Sequence, residues 1–272
     1  MRQISISCML IMLVAFGGCA YESRENSPVR ILFVGNSVTY YHGVPYLFGA
    51  VASELHGTKV AIDFLVQGGG HLVDVVEAES VMNQLAGANY DVVVLQEWGG
   101  QLLCAAEESG RSSPSCIASI EAHRRLANVS SAEGAMTVLL GTYQRNEQVA
   151  RALVVGEKWF FNTLEFDRYV AVAPLLIAGE AEYPLLGWKA EDEVHPGPAL
   201  SIAMALATAE AVFGPATTDR EAIAIRKTRE KPSRSLSYEK IENDLSVFYD
   251  GTESTYEPEL LDSVAHVVRA AD

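Results

Sequence analysis

Short apolar runs alternate along the chain with longer amphipathic stretches. The runs are rich in Val, Ile and Leu and predict five buried β-strands, at residues 30–34, 60–66, 91–95, 136–140 and 169–173. Apolar residues between them recur at helical spacing and predict helices, at residues 45–55, 72–85, 119–129, 147–161 and 201–214. Strands that alternate with helices are typical of a parallel sheet covered by helices on both faces.

The start of the chain predicts an export signal that does not belong to the fold. A positively charged beginning and an apolar stretch that ends at Phe16 lead through small residues to Cys19. This arrangement resembles a bacterial lipobox and predicts a lipoprotein-type signal peptide over residues 1–19, with Cys19 as the lipidated residue and 20–28 as a tether. Phe16 stands where lipoboxes usually carry Leu, which leaves a plain secretory signal as the alternative. Ala20 favours the outer membrane or periplasm over retention at the inner membrane.

Composition and charge limit the partners of the chain. With 272 residues, of which 49% are hydrophobic and 20% are charged, it can bury one sizeable core. The formal net charge of −15 repels nucleic acid and anionic headgroups, and no stripe of Lys and Arg with interleaved aromatics is present. The sequence therefore predicts no nucleic-acid partner, and a membrane contact through the lipid anchor alone.

Residues 216–272 differ in composition from the rest. They are first dense in charge and then carry scattered apolar residues such as Leu245 and Phe248. This composition predicts a helical C-terminal extension. The Lys and Arg residues between positions 226 and 234 are typical of a solvated helix face, with a headgroup-binding patch as the alternative.

Two cysteines remain once the signal peptide is removed and Cys19 is acylated. Cys104 and Cys116 flank a loop rich in Glu, Ser and Gly, and an oxidising compartment favours a disulfide between them over two free thiols. The six histidines are scattered, without the CxxC or HExxH spacing of a zinc site. We therefore expect no metal and no cofactor.

A serine follows the first predicted strand, in the sequence Gly35-Asn36-Ser37. Ligands of open parallel sheets collect at the carboxyl ends of strands, so Ser37 is expected to face that crevice. Glycine permits a sharp turn there, and the N–H groups of a following helix attract negative charge. The same residues also occur in ordinary turns, so Ser37 counts as a nucleophile only if a base can take its proton.

One histidine has the surroundings of such a base. His195 lies in a loop that leads into the last core helix, and Asp192 stands three residues before it. A carboxylate at that spacing can accept from one imidazole nitrogen and leave the other for Ser37. The alternative is a helix-entry loop with incidental polar residues.

These segments together resemble the SGNH, or GDSL-like, hydrolases over residues 29–214. The similar features are Gly-Asn-Ser after the first strand, the glycines at 68–70 after the second, and Asp-Glu-Val-His-Pro at 192–196 before the final helix. Asn36 replaces the usual Asp of the first segment. The resemblance implies a hydrolase domain at residues 29–215, folded as a flavodoxin-like three-layer α/β/α sandwich around a parallel five-stranded sheet.

The same resemblance implies ester hydrolysis through an acyl-serine. Ser37 is then the nucleophile, His195 the general base and later the general acid, and Asp192 the orienting carboxylate. The oxyanion hole is implied to use Ser37 and a glycine N–H, for which we choose Gly69 over its two neighbours. Glycine lets the backbone come close to the substrate.

The third segment of the family pattern is altered in this chain. The family carries Gly-x-Asn-Asp after the third strand, whereas Gln96, Glu97 and Trp98 stand there. Gln96 has the same amide on a longer stem and is predicted to replace the missing Asn as an oxyanion donor. Loss of one such donor costs about 10²–10³ in rate, so a misplaced Gln96 predicts a slow enzyme.

The predicted substrate is a small-molecule or glycan ester. Predicted export favours a carbohydrate or glycoconjugate acetylesterase, in which Trp98, Trp188, Tyr40 and Tyr41 can stack on sugar rings. A place in the hydrophobic core is the alternative for the same aromatics. A lysophospholipase or thioesterase is an alternative. Another is a surface lipoprotein that binds glycan or a partner protein without catalysis, because the third segment is altered.

The same residues allow two further functions. A glycosidase would pair Glu97 with Asp192 or Glu193 at a separation that sequence does not fix. A nucleotide-binding role for the glycines at 68–70 lacks the GxGxxG or GxxxxGK pattern that phosphate binding needs.

Overall fold

The computed structural model describes residues 27–216, 225–249 and 254–271. The predicted signal peptide, Cys19 and most of the tether lie outside the described residues and stay predictions. Within the described ranges, no helix has both the length and the apolar character needed to cross a membrane.

Five parallel strands form the central sheet. They are β1 Val29–Gly35, β2 Val60–Val66, β3 Val92–Gln96, β4 Met136–Leu140 and β5 Arg168–Val170. Their order is β2-β1-β3-β4-β5, and every neighbouring pair is parallel. All five predicted strands are present. The run predicted at 169–173 is a strand only as far as Val170, because a helix begins at Val172.

Helices connect the strands. In the described ranges they are α1 Ser37–Tyr40, α2 Val44–His56, α3 Leu72–Glu77, α4 Glu79–Ala86, α5 Gly99–Leu103, α6 Pro114–Ala132, α7 Glu147–Thr163, α8 Val172–Glu182, α9 Pro198–Phe213 and α10 Pro258–Ala271. The helix predicted at 72–85 is divided at Ala78, whose ψ of 84° is not helical. Sequence reasoning missed α8, since its apolar residues lie on most sides and do not form one stripe.

Two hydrophobic cores cover the two faces of the sheet. Along β1, Ile31 and Phe33 contribute to one core, while Leu32 and Val34 contribute to the other. Helices α2, α8, α9 and α10 pack on the first face, and α3, α4 and α6 on the second. Both faces are buried, which is why these strands read as continuous apolar runs. The predicted three-layer α/β/α sandwich is confirmed.

The strand order creates a switch point beside β1. The chain passes from β1 to β2 on one side and then crosses to β3 on the other. The carboxyl ends of β1 and β3 therefore lie side by side at the carboxyl-terminal edge of the sheet, where the connections leave in opposite directions. Open parallel sheets usually bind their ligands in the crevice at such a point. Ser37 follows β1 at this edge, and Trp98 follows β3.

The C-terminal segment packs against the same sheet and is largely not helical. Among its described residues, α10 is the regular helix, and Leu245–Phe248 forms a short 3-10 helix. The prediction of a helical extension is therefore corrected for residues 225–244. Backbone hydrogen bonds between Phe64 and Glu242 pair this part with the free edge of β2, and Pro232 is incompatible with a helix interior.

Cys104 and Cys116 form a disulfide, with their Cα atoms 5.8 Å apart. The bond joins the end of α5 to the first turn of α6. The predicted pairing of these two cysteines is confirmed.

Candidate active site

Ser37 is the first residue of α1, directly after β1. Asn36 caps this helix, because its Oδ1 accepts the Val38 N–H at 3.0 Å. The Asn36 N–H donates to Gln96 Oε1 at 3.3 Å, and the same oxygen accepts the Thr39 hydroxyl at 2.9 Å. A side chain at the end of β3 thus fixes the turn that presents Ser37.

Asp192 and His195 form the pair that their spacing predicts. His195 Nδ1 lies 2.6 Å from Asp192 Oδ2. Asp192 Oδ1 also accepts the backbone N–H groups of Val194 at 2.9 Å and His195 at 3.0 Å. Hydrogen bonds from the backbone and the imidazole of His195 lower the pKa of Asp192. The carboxylate is therefore ionised at neutral pH and orients the imidazole, with Nε2 left to take a proton.

Tyr41 packs face to face on the imidazole of His195. The ring centroids are 3.7 Å apart and the planes differ by 5°. Lys231 Nζ, from the C-terminal segment, lies 5.7 Å from the Tyr41 centroid, and a hydrogen bond with Tyr41 raises the pKa of this lysine. Tyr41 therefore fixes the plane of His195 and is not available to stack on a sugar, which corrects that prediction.

A cavity of about 510 Å³ opens at this edge of the sheet. Ser37, Gly69 and His195 line it together. Within the described residues, the Ser37 hydroxyl forms no hydrogen bond with His195; such bonds are often long in a free enzyme and tighten with substrate. In the same ranges, no group of three or more His, Cys, Asp or Glu side chains has metal-binding geometry.

Two backbone donors in the cavity are unoccupied. The N–H groups of Ser37 and Gly69 have no hydrogen-bond acceptor in the described part of the chain. Gly69 has φ +68°, the left-handed region that glycine adopts without strain, and no atom lies within 4 Å of the place where a Cβ would stand. Of the three neighbouring glycines, Gly69 lines the cavity.

Gln96 does not face the cavity. Its side chain is 1% exposed, and its Nε2 donates to the Glu97 carbonyl at 2.5 Å while Oε1 holds the Ser37 turn. The structure therefore corrects the prediction of Gln96 as an oxyanion donor. Both ends of its amide are already used inside the protein.

Gln144 is an amide that sequence reasoning missed. It lies in the loop after β4, lines the cavity, and places Nε2 2.6 Å from the position of a Cβ on Gly99. Its side chain has no hydrogen-bond partner among the residues that the structure describes. No motif marks this position, because the loop after β4 lies between the third segment of the family pattern and the Asp-Glu-Val-His-Pro segment at 192–196. Proximity to the end of β3 became visible only in the fold.

Glu97 is a buried structural carboxylate. It is 0% exposed and accepts the backbone N–H groups of Leu72 at 3.0 Å and Trp98 at 2.7 Å. Its Oε1 lies 3.5 Å from His71 Nδ1, and this interaction raises the pKa of His71. Glu97 fastens the start of α3 to the end of β3. It is not placed to pair with Asp192 in the manner of a glycosidase, since it does not line the cavity.

The predicted sugar-stacking aromatics separate into buried and exposed residues. Trp188 is 2% exposed and donates its indole N–H to the Tyr183 carbonyl at 2.9 Å, so it is a core residue. Tyr40 is half-buried, with its hydroxyl close to Gly68. Trp98 alone of the four both lines the cavity and is strongly exposed, at 51%.

The loop after β4 also holds the loop that carries Asp192 and His195. Tyr143 donates its hydroxyl to the Val194 carbonyl at 2.8 Å. Arg145 donates from Nε to the Glu193 carbonyl at 2.9 Å and from Nη2 to the Asp192 carbonyl at 2.6 Å. Three consecutive carbonyls are thus bound by two side chains. One belongs to Glu193, whose φ of 54° is uncommon for a residue with a side chain.

The fold is similar to that of several solved structures at low sequence identity. No protein-family model matches the chain, and no curated protein matches it. A DUF4886 family protein from Bacteroides uniformis is 12% identical with a TM-score of 0.57, over 90% of this chain and 94% of that one. A variant of Axe2, an acetyl xylan esterase from Geobacillus stearothermophilus, is 15% identical with a TM-score of 0.50, over 70% and 96%. LAE5, an alpha/beta hydrolase from the metagenome of Lake Arreo, is 13% identical with a TM-score of 0.50, over 68% and 95%.

The matches differ in how much of the chain they cover. Axe2 and LAE5 cover 70% and 68% of this chain, close to the share that residues 29–216 make up. The share covered by the Bacteroides uniformis protein exceeds what residues 1–216 can supply, so that match extends into the C-terminal segment. All three similarities support the α/β fold class.

Proposed function

We propose that this protein is a serine ester hydrolase that works through an acyl-serine intermediate. One observation carries the proposal: Ser37, Gly69 and His195 line one cavity, while Asp192 binds His195 Nδ1 at 2.6 Å. A nucleophile, an oriented base and unoccupied backbone donors are the parts that acyl transfer needs. The fold shared with an acetyl xylan esterase adds support by analogy.

The proposed reaction has two steps. Ser37 Oγ attacks the ester carbonyl carbon while His195 Nε2 takes its proton, and the alcohol leaves with that proton as the acyl-serine forms. Water then attacks the acyl carbon and gives a proton to His195, and His195 passes this proton to Ser37 Oγ as the bond to the acyl carbon breaks and the acid is released. In each step the carbonyl oxygen becomes negative, and the N–H groups of Ser37 and Gly69 with the Gln144 amide would bind it.

For the substrate, we propose an acetylated glycan or glycoconjugate. Trp98 supports this choice, because an indole that lines the cavity and is 51% exposed offers a flat apolar face for a sugar ring. Predicted export would bring the enzyme to envelope or extracellular glycans. Long-chain acyl esters and a binding role without catalysis are the competing possibilities.

The proposal is tested with the mature protein and its Ser37→Ala variant. We expect the parent to hydrolyse p-nitrophenyl acetate and to release acetate from acetylated xylo-oligosaccharides, and the variant to lose about 10³-fold or more in kcat. Hydrolysis of long-chain esters in place of acetyl esters would change the substrate proposal. Equal, background rates for parent and variant would remove the enzymatic proposal and leave glycan binding to be measured.

A further inference from the structure

The C-terminal residues 225–249, here called the strap, pair with the free edge of β2 at Glu242. The Phe64 N–H donates to the Glu242 carbonyl at 2.7 Å, and the Glu242 N–H donates back to the Phe64 carbonyl at 2.9 Å. The strap contributes to both cores, with Val247 and Phe248 in one and Tyr238 in the other. It therefore passes around the sheet edge next to the carboxyl ends of β2 and β1.

Tyr238 joins the strap to two loops of the site. Its hydroxyl donates to the Gly35 carbonyl at 2.8 Å, and its backbone N–H donates to Gln67 Oε1 at 3.3 Å. Its ring packs on Gly70, where an added Cβ would stand 2.5 Å from Tyr238 Cε2. The side chain is 5% exposed. One buried residue thus contacts the end of β1 and the loop that follows β2.

The two contacted positions are next to the two backbone donors of the cavity. Gly35 stands two residues before Ser37, and Gly70 is adjacent to Gly69. The Gly35 carbonyl also accepts the Gln67 N–H at 3.2 Å, so the end of β1, the loop after β2 and Tyr238 meet at one oxygen. Burial raises the pKa of Tyr238, so its hydroxyl stays protonated and remains a donor over the working pH range.

We propose that Tyr238 is a positioning residue that fixes the distance between the Ser37 and Gly69 N–H groups. This inference rests on the proposed function, since those two donors are its oxyanion hole. A phenylalanine would fill the same space in the core, but it lacks the hydroxyl that donates to the Gly35 carbonyl, two residues before the nucleophile. Small displacements of such donors lower kcat, because a donor stabilises the transition state only if it lies about 2.7–3.1 Å from the developing oxyanion.

The rest of the strap contacts the same region independently. The His42 N–H donates to the Glu230 carbonyl at 3.1 Å. Lys231 interacts with Tyr41, which stacks on His195. The strap therefore supports the nucleophile turn, the glycine loop and the ring behind the histidine. This placement gives the C-terminal segment a part in the site that its sequence does not indicate.

The experiment compares Tyr238→Phe with Tyr256→Phe in the mature protein. Tyr256 is a matched control because it is a buried tyrosine of the C-terminal segment whose hydroxyl lies 2.6 Å from Thr228 Oγ1, not at the site. We expect Tyr238→Phe to lower kcat for p-nitrophenyl acetate about tenfold with KM changed by less than about twofold. Tyr256→Phe should leave kcat unchanged at a similar loss of stability in urea.

Hydrogen–deuterium exchange supplies a readout that does not need turnover. Amides of residues 35–38 and 67–71 should exchange faster in Tyr238→Phe than in the parent and the control variant. Unchanged exchange together with unchanged kcat would overturn the positioning role. If the parent itself hydrolyses no ester, the proposed function fails, while the exchange rates still decide whether Tyr238 holds the two loops.

Discussion

Gln96 and Gln144 carry the same amide in two different surroundings. Gln96 follows the third strand, where the family pattern places an amide donor, yet it binds the Ser37 turn from inside the protein. Gln144 lies outside every motif and lines the cavity with Ser37. The role that sequence assigned to Gln96 is therefore open to Gln144, and the two residues should respond differently to truncation.

Gln144→Ala is expected to lower kcat about 10²-fold without changing the free energy of unfolding, because it removes a donor that binds nothing inside the protein. Gln96→Ala should instead destabilise the protein by about 2–3 kcal/mol, since it leaves the Asn36 N–H and the Thr39 hydroxyl without their acceptor. Ester hydrolysis and urea unfolding of both variants check this. A catalytically silent Gln144→Ala would contradict it.

At the scale of elements, one loop positions another. The loop after β4 binds three consecutive carbonyls at 192–194 through Tyr143 and Arg145. Asp192 and His195 are joined by their own short-range hydrogen bonds, but those bonds do not place the pair relative to Ser37. That placement depends on contacts between loops that follow different strands, and Arg145 supplies two of them.

Arg145→Met keeps an unbranched apolar side chain and removes both hydrogen bonds. We expect kcat/KM for a neutral ester to fall about tenfold as the loop loosens. Arg151→Met is the control, because Arg151 pairs with Glu147 on the exposed surface of α7. If Arg145 served instead to bind an anionic substrate, hydrolysis of p-nitrophenyl acetate would be unchanged and only the KM of charged esters would rise.

At the scale of the whole molecule, a buried carboxyl links stability to pH. Glu157 is 0% exposed and accepts the Thr142 N–H at 2.8 Å and the Tyr169 hydroxyl at 2.6 Å. Burial raises the pKa of Glu157 from 4.5 to about 7, and its two hydrogen bonds only partly oppose this. The folded state thus holds a proton that the unfolded state releases above pH 4.5.

Because the folded state keeps this proton, Glu157 stabilises the protein more at low pH than at high pH. The contribution of Glu157 to stability is complete below about pH 4.5 and is lost as pH rises through about 7, by about 3 kcal/mol in total. Glu157→Gln is neutral at every pH. The free energy of unfolding of the variant minus that of the parent should therefore increase from pH 5 to pH 8.5. Urea unfolding at both values checks this, with the exposed Glu147→Gln as control. Parallel pH curves for the parent and Glu157→Gln would contradict it.

The sequence by itself determined the features that are local. Apolar runs predict buried strands, and all five predicted strands are present. Asp192 and His195 are three residues apart, so their hydrogen bond is a short-range event, and Ser37 follows from the end of the first strand. These features need no knowledge of distant residues, because backbone geometry and neighbouring side chains decide them.

Only the tertiary structure decided which side chains face the cavity. Trp188 became core, Gln96 bound inward, and Gln144 and Tyr238 reached the site from distant parts of the chain. The strap is mostly irregular where composition predicted helix, and its backbone pairs with the edge of β2 at Glu242. Contacts between residues far apart in sequence set these outcomes, and such contacts leave no periodic pattern in the segments that make them.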